Sequence, residues 1–255
     1  MSLPDHRRNV ILKSVEERGS VTVVDLADRL EVSMMTIRRD LAELESEGAL
    51  RRVHGGAVST RGRSFEPIYS IRAVHMQTEK EHIGQLAASL VSDGDSIALD
   101  IGTTTMEVAQ ALLNRHNLTV LTPSLHIANL FITRPDIRVI VSGGIARPVE
   151  GSLVGELARH AFSHIFVDRL FLAVGCIDAT HGLSEYNWDD ALVKQAMIES
   201  AREIIVVADS TKFGKVAFAQ IAPLDRVHKI VTDRLPPQDC VVALEKAGIA
   251  LLIAE

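Results

Sequence analysis

Apolar residues recur with a helical period through the first 58 positions and gather afterwards into short uninterrupted blocks. Within residues 5–18, Ile11 and Val15 stand about one turn apart, and Gly19 closes a predicted helix. Thr22, followed three residues later by Asp25, has the form of a capping box. The helix it opens has Val23, Leu26, Ala27 and Leu30 on one face. A joint of Glu31, Val32 and Ser33 then leads to a third helix, with Ser33 placed to cap it. Met34, Ile37, Leu41 and Leu44 are expected inside, and the helix ends near Gly48. The run LRRVHGGAV reads as two β-prone stretches around Gly55-Gly56, a hairpin or wing.

From residue 79 the pattern becomes strand, helix, strand. Predicted strands are SIALD (96–100), LTVL (118–121), RVIV (138–141), FLAV (171–174), IIVVA (204–208) and KIVT (229–232), with a final short strand at the end. Helices are expected near 80–91, 106–113, 125–131, 189–201 and 241–247. Strands rich in Val, Ile and Leu and separated by helices predict a mostly parallel sheet covered on both faces. The polar stretch STRGRS (59–64) has no periodicity and reads as a linker continuing to about Thr78. The expected division is 1–58, 59–78 and 79–255.

Charge sharpens that division. The chain of 255 residues carries a net charge of −6, which taken whole argues against a nucleic-acid partner. Residues 1–63, however, hold 11 basic and 10 acidic side chains, whereas the other 192 hold 16 and 23. A near-neutral head on an acidic body points to an appended binding module. Cys176 and Cys240 are too few for a disulfide framework and lack metal-ligand spacing. The opening MSLPDHRR has no signal-peptide run and no window is apolar enough to cross a bilayer, so a cytoplasmic protein is expected.

A helical wheel at roughly 100° per residue puts Met35, Thr36, Arg38 and Arg39 on the outer side and flanks of the third helix. A recognition helix needs this arrangement: one face locked to its neighbours, the early residues of the other turned to base edges. Arginine pairs with guanine or clamps phosphate, and threonine reaches either. Arg51, Arg52 and His54 on the hairpin are expected over neighbouring phosphates, with Arg61 and Arg63 as further contacts. An arginine pair alone is usually a solvated face; the helix spacing, the capping Ser33 and the basic hairpin make double-stranded operator DNA the expected partner. The segments VVDLADRLEVS and TIRRDLAELESEGALRRVHGGAV resemble the N-terminal signature of the DeoR family of bacterial regulators. The resemblance implies a winged helix-turn-helix, repression as the default, and an oligomer, a homodimer or homotetramer, matched to repeated half-sites.

In the larger part, Asp100-Ile101-Gly102-Thr103-Thr104-Thr105 joins a strand to a helix. Glycine permits a tight turn, and three hydroxyls and the helix-opening N–H groups suit a phosphate. A capped turn explains the same residues equally well. Other strand ends add Thr122 and Ser124, Ser142 with Gly143 and Gly144, Gly175 and Asp178, and Asp209 with Lys212. Open α/β sheets bind ligands at such carboxyl ends. Lys194 and Lys212 are the expected cations for a phosphate or sugar oxygen.

The blocks IALDIGTTT, VSGGIARP, SLVG, LVKQAMIESA and VADSTKFG also resemble the DeoR family, in order, to about residue 233. That likeness implies an α/β sensor domain with a fold like that of ribose-5-phosphate isomerase and a phosphorylated sugar or polyol as effector. By position it implies a phosphate loop of Asp100, Gly102, Thr103, Thr104 and Thr105, with Lys194, Asp209 and Lys212 opposite. Two positions depart from the family: Pro123 stands where asparagine is common, and Trp188-Asp189-Asp190 replaces a glutamate region. The stretch from GTTT to SGG resembles the glycerol-3-phosphate repressor subgroup, which makes that compound one candidate ligand.

The rival reading is an isomerase-like enzyme, for which Asp100, Asp178 and Glu185 are the available acids. His160 and His164, four apart, lack an acidic companion of zincin type, so neither a metal nor a cofactor is expected.

Overall fold

Two hydroxyl side chains set the helix starts near the N-terminus. In the computed structural model Thr22 accepts the Asp25 N–H at 3.1 Å and Ser33 accepts the Thr36 N–H at 3.1 Å. The structure describes residues 3–255 except Gly19, Gly48, His54, residues 59–61, Phe65, Pro67 and Ile68; the side chains of 3–5, 16–18, 20, 51, 53, 58, 70 and 71 also lie outside the description. It comprises two units, Met1–Gly62 and Arg63–Glu255.

The first unit runs α1 (Leu3–Arg18), β1 (Ser20–Thr22), α2 (Val23–Leu30), α3 (Met34–Ser46), β2 (Arg51–Val53) and β3 (Gly56–Val58). Its strands form an antiparallel sheet in the order β1-β3-β2, a wing extended by a strand that the sequence pattern did not mark. Gly56 is needed there, since a Cβ on it would lie 2.0 Å from the Val21 carbonyl oxygen. Ile11, Val15, Val23, Leu26, Ile37, Leu41, Leu44, Leu50 and Ala57 make one core. Met34 was expected in that core but is 47% exposed, because it opens the first turn of α3 and the core is filled by residues further along. Asp40 is buried instead, held by Arg7 through Nε at 2.5 Å and Nη2 at 3.1 Å. A two-pronged guanidinium contact of this kind satisfies a carboxylate on an otherwise apolar face.

The second unit continues with α4 (Tyr69–Val74), α5 (Gln77–Ala88), β4 (Ser96–Leu99), α6 (Thr103–Ala111), β5 (Thr119–Thr122), α7 (Leu125–Phe131) and β6 (Arg138–Val141). There follow β7 (Ile145–Ala146), β8 (Leu153–Val154), α8 (Glu156–Ser163), β9 (Val167–Leu172), β10 (Cys176–Asp178), β11 (Gly182–Glu185) and α9 (Trp188–Ser200). The last elements are β12 (Ala201–Val207), β13 (Ala219–Ala222), β14 (Lys229–Thr232), α10 (Gln238–Lys246) and β15 (Ala250–Ile253). Seven strands form one parallel sheet in the order β15-β14-β12-β9-β4-β5-β6.

Alternate residues of the central strands feed two cores. Ala98, Leu170, Leu172, Ile204 and Val206 pack with Phe162, Met197 and Leu244 from α8, α9 and α10. Ile97, Leu99, Phe171, Ile205 and Val207 pack with Ile83, Val108 and Phe131 from α5, α6 and α7. Burial on both sides explains why these strands read as continuous apolar runs. A small antiparallel sheet, β10-β11-β13, stands apart from the main one. No helix among the described residues is long and apolar enough to cross a membrane.

The direction of winding reverses between β4 and β9. From β4 the chain steps to β5 and β6; from β9 it steps the other way to β12, β14 and β15. The loops after β4 and β9 therefore diverge and leave a crevice at the carboxyl ends of the strands. The segment expected as a linker contains α4, and Lys80 Nζ, donating to the carbonyls of Arg72 at 2.5 Å and His75 at 2.6 Å, ties its end to α5.

Candidate nucleic-acid interface and effector site

On α3 the inner and outer faces separate cleanly. Ile37, Asp40, Leu41 and Leu44 are buried, whereas Met35, Arg38 and Arg39 are exposed and Thr36 is half-buried. Ser33 Oγ lies 2.9 Å from Thr36 Oγ1 as well as capping the helix, so both hydroxyls sit at its N-terminal end. Arg52 on β2 is held against α3: its N–H reaches Glu45 Oε1 at 2.8 Å and its Nε reaches Oε2 at 2.6 Å. These contacts keep the Glu45 carboxyl below its ordinary range. Arg51 is described in its backbone only; the expected contacts of its side chain, His54 and Arg61 lie outside the described residues.

In the second unit a cavity occupies the switch-point crevice. Its walls include Ile101 after β4, Gly175 after β9, Glu185, Lys194 from α9 and Lys212. Glu66, Arg72, Glu150 and Asp190 complete the polar lining. The volume is about 20 Å³, room for about one water molecule.

Lys194 is fully enclosed. Its ammonium donates to Asp100 Oδ2 at 2.5 Å and the Ala173 carbonyl at 2.8 Å, and lies 3.1 Å from Glu185 Oε2. Burial pushes the Asp100 carboxyl up despite Lys194 beside it. Burial works on Glu185 in the same sense, but there the lysine charge prevails and the carboxyl is held down. Lys194 stays protonated between the two, the attraction of the carboxylates outweighing its desolvation. This expected phosphate ligand is thus already engaged, and Lys212 is the cavity cation for which no ion pair is seen among the described residues.

The loop residues also have definite places. Gly102 opens α6 without a side-chain cap, Thr105 Oγ1 donates to the Gly102 carbonyl at 3.0 Å, and Thr103 and Thr104 are buried in the first turn. A Cβ on Gly102 would lie 2.7 Å from that of Ala173, so the loops after β4 and β9 meet only because this residue is glycine. Gly102→Ala is expected to cost about 1–3 kcal/mol by forcing them apart. An unchanged denaturant midpoint with an unchanged slope would refute that close-approach role.

Other expected site residues turn to local work. Thr122 donates to the Leu99 carbonyl at 2.6 Å, and Ser124 caps α7. Asp178 Oδ1 accepts from the N–H groups of Thr180 at 3.0 Å and His181 at 2.8 Å, holding the β10–β11 turn. Asp209 caps the short turn that leads to Lys212. Gly143 and Gly144 follow β6 with φ of 71° and 119°. His160 on α8 and His164 just past its end have ring centroids 4.3 Å apart, and no group of three metal-ligating side chains gathers among the described residues.

Residues 7–62 match the model of the DeoR-like helix-turn-helix domain, and residues 75–234 match the DeoR C terminal sensor domain. The chain belongs to the DeoR family. This DeoR-family chain is 37% identical over 253 residues to an uncharacterized HTH-type transcriptional regulator, YgbI, of Escherichia coli, covering 99% of each. It is 34% identical over 245 residues to the glycerol-3-phosphate regulon repressor of Escherichia coli, covering 96% of this chain and 97% of that one. Ribose 5-phosphate isomerase A of Methanocaldococcus jannaschii aligns at a TM-score of 0.41 and 17% identity, over 54% of this chain and 55% of that chain.

Three polar residues of the DeoR-family cavity, Glu66, Arg72 and Glu150, escaped the sequence reading, as did Arg147 beside it. Arg72 pairs with Glu66 at 2.9 Å and with Glu150, and Arg147 pairs with Asp190 and lies 3.7 Å from Glu66. Glu66 and Arg72 fell in the presumed linker. Glu150 and Arg147 are brought to the site by the β7–β8 turn, and nothing local in their sequence marks them.

Proposed function

We propose that this DeoR-family chain is a cytoplasmic repressor of a carbohydrate or polyol operon, released from its operator by a phosphorylated sugar or polyol. Residues 1–58 are assigned to operator binding, 59–78 to the connection and 79–255 to the sensor. On this reading Met35, Thr36, Arg38 and Arg39 of α3 face base edges and phosphates in the major groove, with Ser33 at the helix start and Arg51, Arg52 and His54 on the wing. The effector's anion is held between the open N-terminus of α6 (Gly102, Thr103, Thr104, Thr105) and Lys212. Gly143, Gly144, Gly175, Thr122, Ser124, Asp178 and Asp209 shape the loops around it, and the Asp100–Lys194 pair fixes the crevice floor.

The observation that carries this reading is the polar cavity at the switch point between β4 and β9, with Lys212 at its wall. The name of the glycerol-3-phosphate regulon repressor supports a phosphorylated polyol as ligand. Asp100 and Glu185 are both paired with Lys194, which favours binding over proton transfer to a substrate carbon. Operator and effector each prefer one state of a homodimer or homotetramer, so their affinities oppose one another by about 1–3 kcal/mol.

Fluorescence anisotropy of the chain's own upstream DNA at fixed salt, repeated with a panel of sugars and their phosphates, tests the reading. A specific complex weakened about 5- to 150-fold by one phosphate ester, and not by its parent alcohol, is the expected result. Specific binding that no phosphate ester shifts would sink the effector class; no specific binding at all would sink the regulator.

A further inference from the structure

Glu66 is an unusual occupant of the cavity wall. Its carboxylate is 14% exposed, faces Arg72 at 2.9 Å and Arg147 at 3.7 Å, and leaves Oε2 buried without a hydrogen-bond partner. Glu185, Glu150 and Asp190 crowd the same cavity. Burial, and then the charges of Glu185 and Glu150, push the Glu66 carboxyl up against the pull of the two arginines. A carboxylate so placed is poorly satisfied, yet it sits beside two guanidinium groups, each of which it shares with a second acid, Glu150 on Arg72 and Asp190 on Arg147.

The cavity is also too small for the proposed ligand. It offers about 20 Å³, whereas small-molecule sites measure roughly 300–1,000 Å³. One wall must leave when a phosphate ester enters. Most of the lining is anchored: Gly175 and Glu185 stand at strand ends, Lys194 is enclosed, and Arg72 lies in α4, whose end Lys80 ties down. Glu66 belongs to no helix or strand and follows closely on the N-terminal unit, which ends at Gly62.

We propose that Glu66 is an intramolecular stand-in for the effector's phosphate, held by Arg72 and Arg147 until a phosphate monoester takes those two arginines and expels it. This rests on the effector reading above and adds its trigger: the phosphate that meets the α6 N-terminus and Lys212 also engages these two arginines. A phosphate dianion presents three oxygens and more charge to the same guanidinium pair, so it outcompetes one half-satisfied carboxylate. Its entry displaces Glu66, four residues beyond the end of the operator-binding unit at Gly62.

The test uses the full chain and Glu66→Gln, which keeps the side chain's size and removes the competing charge. Inorganic phosphate is titrated by calorimetry and thermal shift, with chloride at equal ionic strength as reference and Glu156→Gln, an exposed site on α8, as control. Glu66→Gln is expected to bind phosphate about tenfold or more tightly than the unaltered chain, in line with loss of one charged competitor. Its operator affinity is expected to match that of the unaltered chain saturated with effector, with no further response. Equal phosphate affinity in the two proteins, or none in either, overturns the proposal. A sugar phosphate that still shifts operator binding of the unaltered chain in that case leaves the effector reading standing. Weaker phosphate binding by Glu66→Gln also overturns it, since Glu66 would then support the ligand.

Discussion

Lys194→Met is expected to lower the thermal midpoint of the sensor unit by roughly 6–20 °C, equivalent to about 3–5 kcal/mol. Lys194 is 2% exposed and lies between Asp100 and Glu185, which are 1% and 7% exposed. Methionine replaces most of the packed stem but leaves two carboxylates facing each other without a cation. The cost is that of uncompensated buried charge, far above the median for exposed pairs. A fall of under 1 kcal/mol would show that water reaches the cluster and screens it.

The sign of the pH dependence follows from the same cluster. In the unaltered chain Lys194 holds the Glu185 carboxyl down, so that contribution is present above the ordinary carboxyl range and is lost as pH falls through the depressed value. In Lys194→Met burial raises both carboxyls. A raised acid destabilises the fold progressively as pH climbs from its unfolded pKa to its folded one, and costs nothing below the former. The difference between the two proteins is therefore largest near neutrality and shrinks toward about pH 4. Urea unfolding at pH 7 and at mildly acidic pH measures it; a difference that grows on acidification would refute the charge assignment. Lys194→Met combined with Asp100→Asn is expected to lose less than the two single changes together, as partners in one cluster should.

The same triad shows where sequence reasoning stops. The helix-turn-helix, its caps at Thr22 and Ser33, the hairpin at Gly55-Gly56 and the alternation of strands and helices along the chain were all legible, because each depends on neighbours within a few residues. The Asp100 loop was legible as a strand-to-helix turn for the same reason. The partners of Lys194 were not: Asp100 is 94 residues away in the chain, and the crossover from β4 to β9 alone brings the two together. Met34 and Asp40 sit at comparable angles to Ile37 on the wheel, and apolarity favoured Met34. Arg7, 33 residues from Asp40, reverses that choice, and no periodicity reports it. The strands β10, β11 and β13 are three or four residues long and find their register only against each other, so their sequences carry too little pattern to be read alone.

Arg38→Ala with Arg39→Ala is expected to weaken specific operator binding by about 2–6 kcal/mol, roughly 30- to 25,000-fold, while leaving the midpoint of unfolding within about 0.5 kcal/mol. Both side chains are exposed on α3, opposite Ile37, Leu41 and Leu44, so their removal touches no core contact. Effector affinity, measured by calorimetry, stays unchanged because neither residue belongs to the sensor unit. The two arginines divide by the work each does. One that pairs with guanine loses discrimination at a single base position when removed. One that clamps phosphate weakens all sequences alike and reduces the salt slope by about one. Single variants titrated against the operator and a scrambled duplex at several salt concentrations separate these outcomes. Operator affinity that survives the double change, with Met35 and Thr36 still in place, would move recognition from α3 to the wing. Arg52 already rests on Glu45 there, so the wing would then bind by its backbone and remaining basic side chains.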